Sequence, residues 1–306
     1  MHKIKSPIIY MGGKYDMLEY IDALLPKTPV TTFYDVFAGA FNVGGNMPCT
    51  NVVYNDKQYR LKEFFELLYN TEPQELSNRI IARIKECGII RYQHDTYYKF
   101  RDIYNKNPNP LDMFILHCYS YMHMLMWNGD GQMNCSCGDA EYNEFIRGNL
   151  LGFGMKIRKK NIKFYSMDFH EIINIALDSK TIGTDVLYCD PPYIITNAAY
   201  NNRSGEWLKQ DEDNLYKFLN VYADNGGLFI LSNVMKHRNC NNEILDEFAS
   251  NYNIYHVIDK NYRNLDNLMK PNVSAYEVDS DEVLVTNIKE PKNPKIFQKG
   301  KARSLW

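Results

Sequence analysis

The chain has no long apolar run, no cysteine framework, no metal-ligand spacing, no internal repeat and almost no net charge. Each absence excludes a class of protein. The most apolar stretch, 111–127, falls short of the roughly 20 residues a bilayer span needs and carries Asp112, His117 and His123, so it reads as a buried helix. Residues 1–5 lead into no apolar segment, which predicts that there is no secretory signal. Seven cysteines, an odd number at scattered positions, predict free thiols in a reducing compartment rather than disulfides. Cys135 and Cys137 lack a second close Cys or His pair, so no zinc site is expected. His117 and His123 fall within the helical pattern and are expected as packed or surface histidines.

The formal charge is −2 over 306 residues, whereas a nucleic-acid-binding domain often has a pI above about 9. Contact with nucleic acid would therefore need a local basic groove. The run 156–163 is one candidate and the tail 292–303 is another, with a solvated charged face as the alternative for each. With 45% hydrophobic and 24% charged residues, the chain is ordinary globular material for one or two domains.

Residues 32–37 read as a strand, followed by the small-residue loop 38–45 and a second strand, 51–56, that ends in Asp56. Strand, glycine loop, helix, strand, acid is the order of a nucleoside-binding α/β half, in which the acid accepts both ribose hydroxyls. The spacing is looser than a dinucleotide fingerprint. Helical patterns follow at 61–69, 74–86, 95–104 and 111–127, then a polar loop at 128–138. They interrupt the strand–helix alternation and predict an inserted helical domain, 58–150. Strands resume at 162–165, 185–189, 227–232, 254–258 and 282–286, with a helix at 211–223 that has Asp211 as its N-cap. The remaining segments, 1–57 and 151–306, are expected to form one α/β domain.

The tetrapeptide Asp190-Pro191-Pro192-Tyr193 follows the buried-strand pattern 185–189. It should stand at the C-terminal mouth of a strand, the edge where open α/β sheets bind ligands. Two prolines supply no backbone donors and stiffen the chain. A carboxylate, a free carbonyl and an aromatic face are thus held together, a set that suits a planar base with an amino group. Taken alone, the tetrapeptide reads equally well as a strand stop.

Its company is more specific. Tyr10-Met11-Gly12-Gly13-Lys14 comes first, then Asp35-Val36-Phe37-Ala38-Gly39 and Asn55-Asp56. Gly131-Gln132-Met133-Asn134 and Gly138 end the helical section. Asp168-Phe169, the tetrapeptide, Leu231-Ser232-Asn233 and 282–287 complete the order. This order resembles the Dam-like DNA adenine methyltransferases, the D12 class (alpha group) of S-adenosylmethionine-dependent enzymes. The resemblance runs from Ser6 to Asn287.

The resemblance implies a class I S-adenosylmethionine-dependent methyltransferase fold, Rossmann-like with a mixed sheet, in which 58–150 is a mainly helical target-recognition domain. Lys14 would reach the methionine carboxylate of the cofactor with Tyr10 beside it, where the family usually has Trp. Asp35, Phe37 and Gly39 would line the methionine side and Asp56 would hold the ribose. Asp168 and Phe169 would contact the cofactor adenine, and Asp190 would also border the cofactor. The catalytic set would be Asp190, Pro191, Pro192 and Tyr193, with Tyr193 stacking on an adenine flipped out of duplex DNA. The acid in the first position favours adenine in DNA. Related motifs that begin with Ser serve cytosine, and those that begin with Asn serve protein glutamine or RNA. The expected product is S-adenosylhomocysteine, with no metal. The expected setting is the cytoplasm of a bacterial or phage-infected cell, with a restriction endonuclease as a candidate partner and no membrane.

Two departures stand out. Phe41 occupies a loop position where the family commonly has glycine, so its ring must point away from the cofactor or narrow the pocket. In the recognition loop, Met126 and Asp130 hold places that are often basic in the family, and Ser136 replaces a proline. Arginine–guanine contacts are a common source of base specificity, so their loss speaks against a GATC target. Asn128 and Asn134 remain as phosphate or base contacts, or as turn residues, with Lys99, Arg101 and Arg147 as phosphate partners. The competing readings are a methyltransferase acting on RNA or another amino group, and a catalytically silent DNA-binding protein.

Overall fold

The computed structural model describes residues 2–10, 12–195, 207–237, 240–257 and 280–297. Met11, residue 258 of the expected strand 254–258, and 298–303 of the basic tail lie outside the described residues. A 3-10 turn, Lys14–Met17, runs into α1 (Leu18–Leu24), then β1 (Thr32–Asp35), α2 (Asn42–Asn46) and β2 (Asn51–Asn55). A helical run follows: α3 (Tyr59–Asn70), α4 (Pro73–Cys87), α5 (His94–Lys106), α6 (Pro110–Tyr119) and α7 (Glu144–Ile157). Next come β3 (Asn161–Tyr165), α8 (Phe169–Leu177), β4 (Val186–Cys189) and α9 (Lys209–Asp224). The last elements are β5 (Leu228–His237), β6 (Cys240–Asn241), α10 (Glu243–Ala249), β7 (Asn253–His256) and β8 (Ser280–Thr286). No helix among the described residues is long and apolar enough to cross a membrane.

The chain packs as two compact units, Met1–Leu18 with Phe33–Asp168, and Glu19–Thr32 with Phe169–Trp306. In the first, strands lie in the order β3-β2-β1, and β2 runs parallel to β3 from Asn51↔Asn161 to Asn55↔Tyr165. Helices α3 to α7 belong to this unit. Their ends are set by local chemistry. Glu72 caps α4 by accepting the Glu75 N–H at 2.9 Å, Pro73 takes the first position, and Gly88 ends the helix at φ +63°. Asn109 and Pro110 repeat the device on α6, where the Asn109 side chain accepts the Asp112 N–H at 2.9 Å. Leu61, Phe64, Phe65 and Leu68 form the buried stripe of α3. Phe64 stacks on Phe114 of α6 with ring centroids 4.5 Å apart.

Helix α6 stops at Tyr119, so the helix expected across 111–127 is half as long as its apolarity implied. Ser120 turns extended, and its hydroxyl donates to the His117 and Met124 carbonyls in place of a continuing helix ladder. Met122 and His123 then take positive φ. The buried His117 ring is a packing element. Its Nε2 accepts the Ile9 N–H at 3.1 Å, and burial, with His123 nearby, pushes its pKa down to about 3.

In the second unit the order is β4-β5-β8-β7, with β6 paired to the end of β5. Strands β4 and β5 are parallel, and β8 runs antiparallel to both β5 and β7. All of β4 is buried, the continuous apolar run of a strand covered on both faces. Helix α9 begins at Lys209, two residues before the expected start. Asp211 is therefore not the N-cap. It is the third helical residue, and its carboxylate reaches back to accept the Leu208 N–H at 2.8 Å.

One ion pair ties α4 to α6. Arg83 donates from Nε and one terminal nitrogen to the two oxygens of Asp112, both at 2.8 Å, and the Asp112 side chain is 1% exposed. Removing one partner strands a buried charge. Arg83→Met should therefore lower stability by about 2–4 kcal/mol, and adding Asp112→Leu should recover most of the loss. Denaturant titration of the single and double variants checks this.

Candidate active site

In the first unit the expected cofactor residues gather at the C-terminal ends of the strands. Asp35, the last residue of β1, is 1% exposed, and its Oδ2 accepts the Gly44 N–H at 2.8 Å. Asp56 follows β2. Its Oδ2 accepts the Gly39 N–H and its Oδ1 the Gln58 N–H, both at 2.8 Å. Burial raises the Asp56 pKa, and these two N–H donors partly oppose the rise. A carboxylate has about four lone-pair positions, so two remain for the hydroxyls of a diol. Gly39 stands at φ +48°, and a Cβ there would meet the Tyr10 ring at 3.8 Å and Asp56 Oδ2 at 4.0 Å. The missing side chain leaves a cradle floored by backbone, with an aromatic face and an acid on its walls. The residues present therefore fit a nucleoside carrying a free ribose.

Lys14 is 5% exposed and its Nζ donates to the Gly12 carbonyl at 2.9 Å. A turn closed by the Gly13 N–H on the Tyr10 carbonyl, at 3.1 Å, places the two residues on one loop. Asp168 closes the unit after β3 and pairs with the exposed Lys57 at 3.3 Å. Phe37, after β1, stands between the buried Val36 and Ala38 on the chain leading to Gly39.

Asn55 is the residue in this region that sequence reading left without a role. Its Nδ2 donates to the Val36 carbonyl at 3.0 Å and to the Met167 carbonyl at 3.2 Å, while its Oδ1 accepts the Met167 N–H at 3.0 Å. Its sequence signal was an amide beside Asp56 at the end of the strand.

Phe41 resolves the first departure. It sits at φ +59° before α2, and its ring is fully buried among Tyr54, Phe65, Phe153 and Phe164, with centroids 4.9 to 6.3 Å away. The side chain fills the core instead of narrowing a pocket. The positive φ accounts for the glycine expected there.

In the second unit, β4 delivers the tetrapeptide. Asp190 is half-buried, Pro191 buried and Pro192 exposed. The Tyr193 hydroxyl donates to Asp190 Oδ1 at 2.8 Å and lies 3.1 Å from Ser232 Oγ and 3.5 Å from Glu282 Oε1. Phe169 opens α8 with its ring 5.4 Å from that of Trp207. The Trp207 indole N–H donates to Glu212 Oε2 at 2.9 Å. Glu212 is fully buried, and its other oxygen accepts from the Tyr216 hydroxyl and from the amides of Asn233 and Asn242. Neighbours on β5 thus serve two clusters, Ser232 on the Tyr193 side and Asn233 on the Glu212 side, because strand residues alternate faces.

The residues expected to touch DNA lie in the helical part of the first unit. Backbone pairing of Ser120 with Cys137 and of Trp127 with Met133 folds the polar loop into an irregular hairpin. Four side chains clamp its backbone. Arg60 donates to the Gly131 carbonyl, Arg101 and Tyr97 to the Cys135 carbonyl, and Asn105 exchanges two bonds with Met133. Arg101 is therefore a clamp residue, and it also lies over the Tyr98 ring. Asn128 is exposed at the tip, where its Oδ1 accepts the Asp130 and Gln132 N–H groups in an Asx turn. Asn134 and Lys99 are exposed, and Arg147 pairs with Glu144 in α7. A cavity of about 180 Å³ beside Arg60, lined by Tyr59, Glu63, Tyr104 and Asn109, holds none of the expected residues.

The basic run 156–163 is mostly committed to folding. Lys156 bonds the His2 carbonyl and Asn46, Arg158 the Tyr69 carbonyl, and Lys160 the Met47 and Cys49 carbonyls. Burial holds Lys156 down to about 8.

Residues 10–262 match the D12 class N6 adenine-specific DNA methyltransferase family, and the chain belongs to that family. Its α/β architecture is the class I S-adenosylmethionine-dependent methyltransferase fold. It is 34% identical over 290 residues to the modification methylase StsI of Streptococcus sanguinis, a match that covers 93% of this chain and 43% of that protein. It is 32% identical over 289 residues to the type II methyltransferase M.FokI of Planomicrobium okeanokoites, again covering 93% and 43%. A DNA adenine methylase of Escherichia coli K12 is 25% identical over 207 residues, covering 66% of this chain and 69% of that protein. The chain thus spans less than half the length of the first two relatives.

Phe41 sets two energies against each other. Phe41→Gly relieves a left-handed residue, a gain of about 1 kcal/mol, but empties the aromatic cluster, a loss of about 3–5 kcal/mol. The variant should be less stable by about 2–4 kcal/mol, measurable as a drop in thermal midpoint.

Proposed function

We propose that the chain transfers a methyl group from S-adenosylmethionine to the N6 amino group of adenine in duplex DNA. The observation that carries this reading is the Asp190 carboxylate. It leaves a buried strand half-exposed and already accepts a hydrogen bond from a neutral hydroxyl donor at 2.8 Å. An exocyclic amino group is a donor of the same kind. Its lone pair is delocalised into the ring, and hydrogen bonds to Asp190 and the Pro191 carbonyl localise it on nitrogen. Much of the acceleration comes from such positioning and fixed electrostatics. Tyr193 stacks on the extruded base, a contact worth about 1–3 kcal/mol, against the few kcal/mol that flipping costs.

S-adenosylmethionine supplies an electrophilic methyl group when bound. On the protein side, Asp56 accepts the ribose hydroxyls, Gly39 admits the sugar, and Tyr10, Lys14, Asp35 and Phe37 hold the methionine end. Asp168 and Phe169 contact its adenine. In this reading 58–150 is the target-recognition domain. Asn128 and Asn134 stand at its hairpin, Lys99 and Arg147 contact phosphates, and Arg101 supports the hairpin from behind. With Met126 and Asp130 beside the tip, the target is a sequence other than GATC. As a modification enzyme it would work in the cytoplasm beside a restriction endonuclease.

Three outcomes test the reading. Purified protein should transfer labelled methyl groups from S-adenosylmethionine to duplex DNA in preference to structured RNA. Asp190→Ala should lose at least about 100-fold in rate, the scale of a positioned electrostatic contact, while still binding S-adenosylmethionine in calorimetry. Undiminished methylation by that variant overturns the mechanism.

The third outcome is pH dependence. Only ionised Asp56 accepts from both hydroxyls, and its pKa is raised from 3.8. Affinity should be full above the raised value and fall as pH drops through it, starting at higher pH than for an ordinary carboxylate. Asp56→Asn should weaken binding about 10-fold or more and flatten the profile. Calorimetry across about pH 4 to 8 measures both.

A further inference from the structure

We infer that Ser232, backed by Glu282, positions the Tyr193 hydroxyl, and that without DNA this hydroxyl holds the Asp190 oxygen that the amino group of the target base must take. The inference rests on the proposed roles of Asp190 and Tyr193 and adds two residues that those roles do not include.

The hydroxyl lies within reach of three acceptors, Asp190 Oδ1 at 2.8 Å, Ser232 Oγ at 3.1 Å and Glu282 Oε1 at 3.5 Å. A phenol has one proton to give. The carboxylate takes it at the shortest distance, as expected of a charge-assisted bond. Ser232 and Glu282 are 0% and 2% exposed; Ser232 directly follows the apolar run Phe229–Leu231 on one strand, and Glu282 directly precedes Val283–Val285 on the other. Strand register explains how they meet. Ser232 pairs with Leu284 across the antiparallel β5–β8 ladder, and Glu282 is two residues from Leu284, so the hydroxyl and the carboxylate are diagonal neighbours on one face. A buried acid is costly to desolvate and persists where a donor meets it. The Tyr193 hydroxyl, 3.5 Å away, becomes such a donor once its proton turns away from Asp190.

The arrangement allows an exchange without moving the ring. When a base amino group donates to Asp190, the phenolic proton rotates about its C–O bond toward Ser232 or Glu282. No covalent bond changes and no proton is transferred. Tyr193 keeps its seat, so its face stays set for stacking while Asp190 changes donors. A phenylalanine ring in the same place would have no such anchor.

The test is a double-mutant cycle on DNA methylation by the full chain. It uses wild type, Tyr193→Phe, Ser232→Ala and the double variant, with Glu282→Gln as a second route to the same hydroxyl. Thermal midpoints and S-adenosylmethionine calorimetry report folding and cofactor binding. Loss of one anchoring hydrogen bond in Ser232→Ala should lower kcat on duplex DNA about 10-fold, with KM for S-adenosylmethionine unchanged. In the Tyr193→Phe background the same substitution should have no further effect, because Ser232 acts only through the hydroxyl. Glu282→Gln should behave alike, with a smaller loss. Effects that multiply, or a Ser232→Ala enzyme with wild-type kcat, overturn the inference and leave the methyltransferase reading standing. A wild-type protein that methylates no DNA overturns both.

Discussion

A single buried amide organises the strand ends of the first unit. Asn55 is 2% exposed and makes three hydrogen bonds, one to the chain leaving β1 and two to the chain leaving β3. At the C-terminal end of a parallel sheet each strand releases backbone groups that have no ladder partner. Asn55 satisfies those of Val36 and Met167 at once and so fixes where both loops begin. Asp35 precedes one loop, Asp168 follows the other, and Asp56 is the next residue of Asn55's own strand. The positions of three acids therefore descend from one side chain that carries no charge.

The same economy governs the charges themselves. Asp35 accepts a backbone N–H from Gly44, and Asp56 accepts two, from Gly39 and Gln58. Glu212 is buried on four neutral donors. Several cations, by contrast, close backbone gaps. Lys156, Arg158 and Lys160 bond carbonyls, as do Arg60 and Arg101 at the hairpin. A basic run on paper is thus no measure of basic surface.

Much of this was legible in the sequence wherever a pattern had one physical outcome. Val186–Cys189 could only be a buried strand, and the acid after it had to stand at the sheet edge. The helical patterns expected from 74 and from 111 began one residue inside α4 and α6, which start at Pro73 and Pro110. What escaped was decided by partners distant in sequence. The 111–127 stretch kept its apolarity beyond Tyr119, but Ser120 found carbonyls that ended the helix. Helix α7 was missed because Gly148, Gly152 and Gly154 dilute its periodicity, although Gly154 is needed there: a Cβ would lie 2.8 Å from Pro73. Ser232 and Glu282 were visible as polar residues bordering apolar runs, but only the β5–β8 register reveals that they face one hydroxyl.

Phe41 shows why a departure from a family pattern need not be a loss of function. A bulky residue in the left-handed region is strained by about 1–2 kcal/mol, yet its ring closes a cluster with Tyr54, Phe65, Phe153 and Phe164. The packing outweighs the strain. It also constrains a neighbour. A Cβ on Gly44 would fall 2.7 Å from the Phe41 ring and 2.9 Å from Asp35 Oδ2. The residue that fills the core at 41 therefore forbids a side chain at 44, and the bare Gly44 backbone can then approach Asp35 closely enough to donate its N–H. The aromatic substitution and the hydrogen bond that fixes Asp35 are two consequences of the same packing.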